Sequence, residues 1–487
     1  MPEHLTDSVQ LVSRNFDLIK DSLLQSEALP LAEVIDSHSW QAVFDKHEID
    51  FGNDEEAIYT PAITLWALIS QVFFKGEMRS CKAAVTRVAA LWATLGKTVS
   101  STNTGAYCRA RSRISWQAIR DICYQVAAST EALFDDQETR YEENAHSVVE
   151  EVQQVPTSGR ILMVDGFTVT AADTPANQQE YPQNPSQKEG LGFPIVRGVS
   201  LISMVTGLLV GVETGPYAGK QSGETALLWK MLEQLNPGDT LVADCFYCTY
   251  WLIAACLNKG VNIVMKNHDK REDHPATAHR INKHERTTVW FKPNRPGWMS
   301  EDEYDSMPDQ LTVRLVDIIV DRPGFRSKKY TVATTVLDNA RYSRAWIGSV
   351  YRSRWLIELD IRSIKCSLDM DVVRAKTPEM VRTEIWSCLL AYNLIRFKML
   401  QSAVACGRMP RSLSFTTTLQ LFATTWLLAS VTRTQELIEL GTAMPASQTV
   451  GNRPDRVEPR ANKRRPKLIA LLTKPRALAK EEIIAAA

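Results

Sequence analysis

Two acids stand where a folded chain normally buries hydrocarbon. Asp165 interrupts the apolar run Arg160–Thr170 (RILMVDGFTVT), and Asp244 closes another, Thr240–Asp244 (TLVAD). A carboxylate within a strand fit for burial is costly unless it is paired, ligated or at an edge. One such Asp is usually a structural hydrogen-bonder. Two of them on strands of one sheet open a second reading. Neighbouring carboxylates in a low-dielectric cleft repel, and a divalent cation is the usual remedy.

A third feature lies on a helical segment, Tyr351–Lys365 (YRSRWLIELDIRSIK). At about 100° per residue, Tyr351, Arg354, Glu358 and Lys365 fall within an arc of about 60° on one continuous helix. Trp355, Ile361 and Leu368 lie elsewhere and are free to pack. Helical Arg–Glu pairs four apart are common on solvated faces. A tyrosine, two cations and one acid in a single stripe suit phosphate contacts beside a metal ligand better.

These residues need elements to hold them. Residues 1–133 read as helical: Thr60-Pro61 opens one helix, Lys82–Leu95 forms a second, and Ala106–Val126 a third that carries Arg109, Arg111 and Arg113. Asp135–Glu151, with seven acids and one Arg, reads as an exposed linker. Strands are expected at Arg160–Thr170, Arg197–Val205, Leu208–Glu213, Thr240–Asp244 and Val261–Met265. Helices are expected from Ser222, as N-cap, to Leu235 and over Tyr250–Asn258. The order βββαβαβ indicates a mixed α/β sheet covered by helices. Residues 266–340 form a β-rich stretch with strands at Thr287–Lys292, Leu311–Val320 and Lys329–Leu337, the last two joined by the turn Asp321–Phe325. Helices resume from Ser343 to about Met370 and continue to about Leu440.

The chain has 487 residues, 44% hydrophobic and 23% charged, with 56 Lys+Arg against 56 Asp+Glu. That excludes low-complexity disorder, collagen and coiled coil. The polar, acidic start Met1–Gln10 predicts no secretory leader. The longest apolar run, Val199–Val212, is too short to span a bilayer. Nine cysteines without framework spacing suit a reducing compartment, so a cytoplasmic protein with no membrane partner is expected. The zero net charge hides an asymmetry: residues 1–150 carry −9, residues 341–400 carry +5 and residues 451–480 carry +8. That split suggests a polyanion partner for the carboxy-terminal half, against the alternative of a solvated basic tail.

The spacing Y-x2-R-x3-E-x6-K, from Tyr351 to Lys365, resembles the YREK signature of DDE transposases of the insertion-sequence-4 family. The similarity extends to VDGFTVTAADTPANQ (164–178), LVADCFY (241–247), YTVATTVLD (330–338), MVRTEIWSCLLAYNLIR (380–396) and the tail RVEPRANKRRPK (456–467). It covers essentially the whole chain.

The resemblance implies an RNase H-like core, with Asp165, Asp244 and Glu358 as the catalytic, metal-binding triad. Tyr351, Arg354, Trp355 and Lys365 become contacts to the transposon end, and Trp355 also helps to hold the helix. The implied organisation is a helical amino-terminal DNA-binding domain (1–133), an acidic linker (134–156), the first part of the core (157–265) and a β-rich insertion (266–340). The last core helices (341–400) and a helical region with a basic tail (401–487) follow. The implied cofactor is a pair of Mg²⁺ ions, with Mn²⁺ able to substitute. The implied partners are double-stranded DNA, as transposon ends and target, and a second copy of the chain across two ends. No nucleotide cofactor is expected. The implied location is the bacterial cytoplasm, on the nucleoid, and the implied chemistry is nicking and strand transfer through a hairpin.

On the same reading Arg109, Arg111 and Arg113 meet DNA, as do Arg197 and the tail residues Lys463, Arg464, Arg465 and Lys467. Cys245 and Cys248 form a lone CxxC that suits core packing, and His268, His274, His279 and His284 have no standard zinc spacing. Two alternatives remain at this stage: an inactive transposase remnant acting as a repressor, which the three intact acids oppose, and an RNase H-like recombination nuclease.

Overall fold

The computed structural model describes residues 16–25, 31, 34, 36–51, 57–94, 96, 101–135, 159–268, 271, 277–320, 328–432, 434–450 and 473–486. Most of the expected acidic linker, the turn Asp321–Phe325, His274 and the tail cations Lys463, Arg464, Arg465 and Lys467 lie outside these residues.

In chain order the amino-terminal helices are α1 (Ser37–Lys46), α2 (Pro61–Phe73), α3 (Cys81–Thr94), α4 (Thr104–Arg111) and α5 (Trp116–Asp135). Next come β1 (Ile161–Thr170), α6 (Pro175–Glu180), β2 (Ile195–Ser203), β3 (Leu209–Pro216), α7 (Glu224–Lys230), β4 (Thr240–Ala243), α8 (Tyr250–Asn258) and β5 (Asn262–Lys266). The β-rich stretch supplies β6 (His279–Asn282), β7 (Glu285–Phe291), α9 (Glu301–Ser306), β8 (Gln310–Val320) and β9 (Lys328–Thr334). The closing helices are α10 (Arg344–Ser353), α11 (Trp355–Arg362), α12 (Pro378–Ala405), α13 (Phe415–Ala429), α14 (Gln435–Ser447) and α15 (Arg476–Ala486).

Two compact units result. One comprises Met1–Ala145, Val205–Val210 and Leu359–Val450, and the other His146–Met204, Gly211–Glu358 and Gly451–Ala487.

The second unit holds the sheet apart from the first two residues of β3. Nine strands run in the order β3-β2-β1-β4-β5-β9-β8-β7-β6. β1 is antiparallel to β2 and parallel to β4, and β4 is parallel to β5. This central order is the RNase H-like arrangement that the resemblance implied, built on the mixed sheet read from the βββαβαβ pattern. The β-rich stretch extends the same sheet, because β9 pairs antiparallel with β5 on one side and β8 on the other. Its outer strands are locked by Arg314 of β8, a fully buried guanidinium that donates to Glu285 Oε2 of β7 and, at 2.8 Å, to the Tyr342 carbonyl.

The first unit is helical. Its axis is α12, which is buried along nearly its whole length because it is apolar on all sides rather than amphipathic. It packs along α5, where Asn393 Nδ2 donates to the Cys123 carbonyl at 3.2 Å and Trp386 meets Tyr124 edge to face. Trp66 of α2 stacks on Trp426 of α13, with ring centroids 5.6 Å apart.

Several local expectations differ from what forms. Ala106–Val126 is two helices, broken where the Ser115 hydroxyl caps α5 by accepting from Ala118 N. Ser222 is not a helix cap. Its hydroxyl donates to the Gly219 carbonyl, the N-cap is Gly223, and the helix stops at Lys230 instead of Leu235. The segment from Ser343 is not one helix: Arg354 separates α10 from α11, and a π turn, Ser363–Ser367, ends the run. The expected arc of four residues therefore does not extend to Lys365, which sits in the π turn.

Lys398 of α12 is fully buried, with its ammonium donating to the Leu24 carbonyl at 3.0 Å. Burial drives its pKa down to about 7. From about pH 7 to the unfolded lysine value near 10.4, the unfolded chain holds a proton that the folded chain has released. Stability attributable to this site therefore rises with pH across that window and is lost as pH falls through 7. Lys398→Met is expected to remove that slope and to raise unfolding stability at pH 7 by about 2 kcal/mol. Denaturant titrations at pH 7 and 9.5 check it, and an unchanged pH dependence in the variant would count against the buried charge.

Candidate active site

β1 and β4 run parallel, with Met163 opposite Val242 as their last paired rung. Each chain reaches its acid two residues further on, at Asp165 and Asp244. Side chains two apart on a strand share a face, so both carboxylates emerge from one side of the sheet just beyond the last rung that β1 and β4 share. Each acid is fastened by a nearby backbone amide, in β1 for Asp165 and in the turn after β4 for Asp244. Asp165 Oδ1 accepts from Gly166 N at 2.8 Å, and Asp244 Oδ1 accepts from Phe246 N at 2.8 Å.

Glu358 arrives from α11, one turn after Arg354. The Arg354 guanidinium reaches both acids, with Nη1 3.6 Å from Asp165 Oδ2 and Nη2 3.2 Å from Glu358 Oε1. The residue that breaks the helix thus lies between two of the three carboxylates. Burial raises the Asp165 pKa to about 6, and the charges of Asp244 and Glu358 add to the rise, against the Gly166 amide and Arg354. Against burial, Tyr351 and then the acids Asp165, Glu358 and Asp244 hold Arg354 above its ordinary value. Tyr351 is pushed up to about 12, first by burial and then by Asp244, so its hydroxyl keeps its proton at neutral pH. Its ring lies beside that of Tyr330 on β9, at 6.4 Å.

Asp165, Asp244, Glu358, Tyr351 and Arg354 are therefore brought together. Trp355 is 49% exposed and does not hold the helix by burial, because its position on α11 faces outward while Ile357 is buried. Lys365 pairs with Asp371 Oδ1 at 2.9 Å. Arg197 donates to the Ser222 carbonyl at 3.0 Å and lies over the Tyr217 ring. Of the three arginines near α4, Arg109 and Arg113 are exposed, whereas Arg111 donates to Cys81 Sγ at 3.2 Å. Cys248 is buried.

The donor set fits a hard divalent cation: three carboxylates, no thiolate, and mutual repulsion that already raises one of them. Among the described residues no three acids yet stand as a closed metal-ligand group. One acid the sequence reading passed over also belongs to this neighbourhood. Glu224, first residue of α7, accepts a hydrogen bond from the Tyr247 hydroxyl at 3.0 Å. The spacing of acids could not reveal it, because its tie runs through a bare glycine and a tyrosine.

Two acids just past the shared rungs of parallel strands in an RNase H-like sheet, with a third on a following helix, suit a phosphodiester-cutting enzyme that works with divalent metal. Comparison with known proteins gives the particular family. Residues 156–394 match the transposase DDE domain. The chain is 26% identical over 326 residues to transposase InsG for insertion sequence element IS4 of Escherichia coli strain K12, covering 63% of this chain and 68% of that one. It is 34% identical over 77 residues to the transposase for insertion sequence element IS421 of Escherichia coli, covering 16% of this chain and 21% of that one. A cryo-EM structure of the piggyBac transposase synaptic complex with hairpin DNA aligns over 88% of this chain and 84% of that one, with 10% identity and a TM-score of 0.40. Residues 156–394 thus carry a DDE transposase domain, and enzymes with that domain cut DNA and transfer strands with metal.

No helix among the described residues is long and apolar enough to cross a membrane.

Proposed function

We propose that this transposase moves an insertion sequence in a bacterial cell, acting on nucleoid DNA by binding the element's terminal inverted repeats, nicking them and joining the freed ends to a target. The observation that supports it best is the Arg354 guanidinium set between Asp165 and Glu358, with Asp244 on the neighbouring strand. Asp165, Asp244 and Glu358 would hold the metal, most simply two Mg²⁺ ions or Mn²⁺ in their place. When bound, the ions supply Lewis acidity that activates a water or 3′-hydroxyl and stabilises the departing oxygen. Arg354 keeps Glu358 and Asp165 oriented. Tyr351, protonated at neutral pH, donates to a phosphate oxygen of the transposon end. Trp355, exposed beside them, offers an apolar face to a base or sugar. Lys365, Arg109 and Arg113 add phosphate contacts, while Arg111 and Arg197 act by shaping the surfaces that carry them.

Two ends must be cut in concert, so the working form is a homodimer holding two ends, and the first 3′-hydroxyl attacks the opposite strand to leave a hairpin. The helical residues 1–133 serve DNA binding, 157–265 with 341–400 form the catalytic core, and 401–487 complete the end contacts. Incubating the protein with Mg²⁺ and a labelled end, then separating nicked, hairpin and joined products while sedimentation reports the size of the complex, tests this reading. Binding without any nick would favour a repressor, and cleavage indifferent to the end sequence would favour a recombination nuclease.

The basic tail gives a separate expectation. If Lys463, Arg464, Arg465 and Lys467 contact phosphates, each lost contact lowers the log–log salt slope of binding by about 0.9 on duplex DNA. Replacing all four with Ala is expected to lower the slope by up to about three and to weaken binding most at low salt. End binding across a salt series measures it, with thermal unfolding as control, and an unchanged slope would make the tail a solvated appendage.

A further inference from the structure

Asp165 is held by an amide within β1 and Asp244 by an amide in the turn after β4, which raises the question of what holds the two segments to each other. Glu224 touches both. On the Asp165 side it packs against Gly166, so closely that a Cβ built there would lie 2.3 Å from Glu224 Cδ. Gly166 is also the residue whose N–H holds the Asp165 carboxylate. On the Asp244 side Glu224 Oε2 accepts from the Tyr247 hydroxyl, and Tyr247 follows Phe246, whose N–H holds the Asp244 carboxylate. The Tyr247 side chain is almost fully buried, and its hydroxyl would lose its acceptor if Glu224 were removed.

Among the described residues Glu224 has no cationic partner, and Tyr247 lies within the fields of Asp165 and Asp244 as well as that of Glu224. The tyrosine bond and the glycine notch are what keep the acid in place. A hydrogen bond to an ionised acceptor is shorter and stronger than one to a neutral group, which suits a fixed strut.

We propose that Glu224 is a positioning residue of the active site, a brace between Gly166 of β1 and the Tyr247 turn that sets how far apart Asp165 and Asp244 stand. Glycine at 166 is part of the device, because any side chain there displaces the brace. The inference rests on the reading of Asp165 and Asp244 as metal ligands.

Mn²⁺ binding to the full-length protein without DNA, followed by electron paramagnetic resonance of the free ion, tests the brace without any turnover. Glu224→Ala, Tyr247→Phe and Gly166→Ala are each expected to weaken Mn²⁺ binding about tenfold, the lower end of the effect of outer supports at metal sites. Glu224→Gln keeps an acceptor for the tyrosine and is expected to stay within about threefold of wild type. Combining Glu224→Ala with Tyr247→Phe should cost no more than either alone, because both break the same link. Thermal unfolding accompanies each variant, and if Glu224→Ala fails to fold, Tyr247→Phe and Gly166→Ala decide. Unchanged Mn²⁺ affinity in folded brace variants would overturn the proposal. So would Glu224→Gln losing as much as Glu224→Ala while Tyr247→Phe loses nothing, since Glu224 would then be a ligand itself. Wild type that binds no Mn²⁺, or Asp165→Asn that binds as tightly as wild type, overturns the metal reading beneath it instead.

Discussion

Asp165→Asn, Asp244→Asn and Glu358→Gln are each expected to lower nicking of a labelled transposon end by about a thousandfold or more. The size follows from the role: a metal acting as Lewis acid contributes several kcal/mol to the transition state, and each 1.36 kcal/mol is tenfold in rate. End binding should be unchanged or tighter. Affinity for DNA comes mostly from Lys and Arg on phosphate, and each substitution removes a negative charge from the surface that meets a polyanion. Single-turnover cleavage and a binding titration on the same end separate the two effects. A variant that cleaves at a near-wild-type rate would show that its residue is not a ligand. Equal losses in binding and cleavage would instead assign that acid to holding the DNA surface.

Asp360→Ala is expected to produce the largest loss of stability of any single truncation in the helical unit. Asp360 is fully buried and accepts from Arg396 and Arg411, the latter through Nη1 at 3.2 Å and Nη2 at 2.9 Å. Arg396 is further committed through Nε to the Tyr392 hydroxyl at 3.0 Å, and its guanidinium lies by the Phe415 ring. Removing the aspartate strands two guanidinium groups away from water. Breaking a buried ion pair by deleting one partner costs about 3–5 kcal/mol. Chemical denaturation followed by tryptophan fluorescence measures the change, and a loss below about 1 kcal/mol would mean that water reaches the arginines once the acid is gone. Asp360→Asn, which keeps an acceptor but not the charge, should fall between wild type and the alanine variant.

Asp165 and Asp244 were legible in the sequence because carboxylates in apolar runs such as RILMVDGFTVT contradict their surroundings. The strands were legible because their apolar runs are short and bounded by turn residues. What escaped depends on tertiary partners. Taking α10 and α11 as one helix failed at Arg354, whose position follows from acids at 3.6 and 3.2 Å, one of them far away in sequence. Ser222 resembles a helix cap in type and spacing, but its hydroxyl finds the Gly219 carbonyl instead. Arg111 and Arg197 carry the charge expected of DNA contacts, and only the fold shows that each also donates internally, to Cys81 Sγ and the Ser222 carbonyl. Glu224 gave no signal, because a glycine's missing side chain says nothing about which distant residue fills the gap. Asp360 and Lys398 look from the sequence like ordinary polar positions on helices. Only the packing around them makes them buried charges.

The continuity of the sheet limits how this enzyme could be made smaller. β9 covers one side of β5, and β8, β7 and β6 follow outward without a gap. Excising the stretch after β5 would strip a parallel core strand of its neighbour and leave its amides and carbonyls open to any passing chain. Bare strand edges of that kind are templates for aggregation. A miniaturised version would need to retain β9 as a seal or blunt the edge with charge or proline, whatever DNA contacts the outer strands provide.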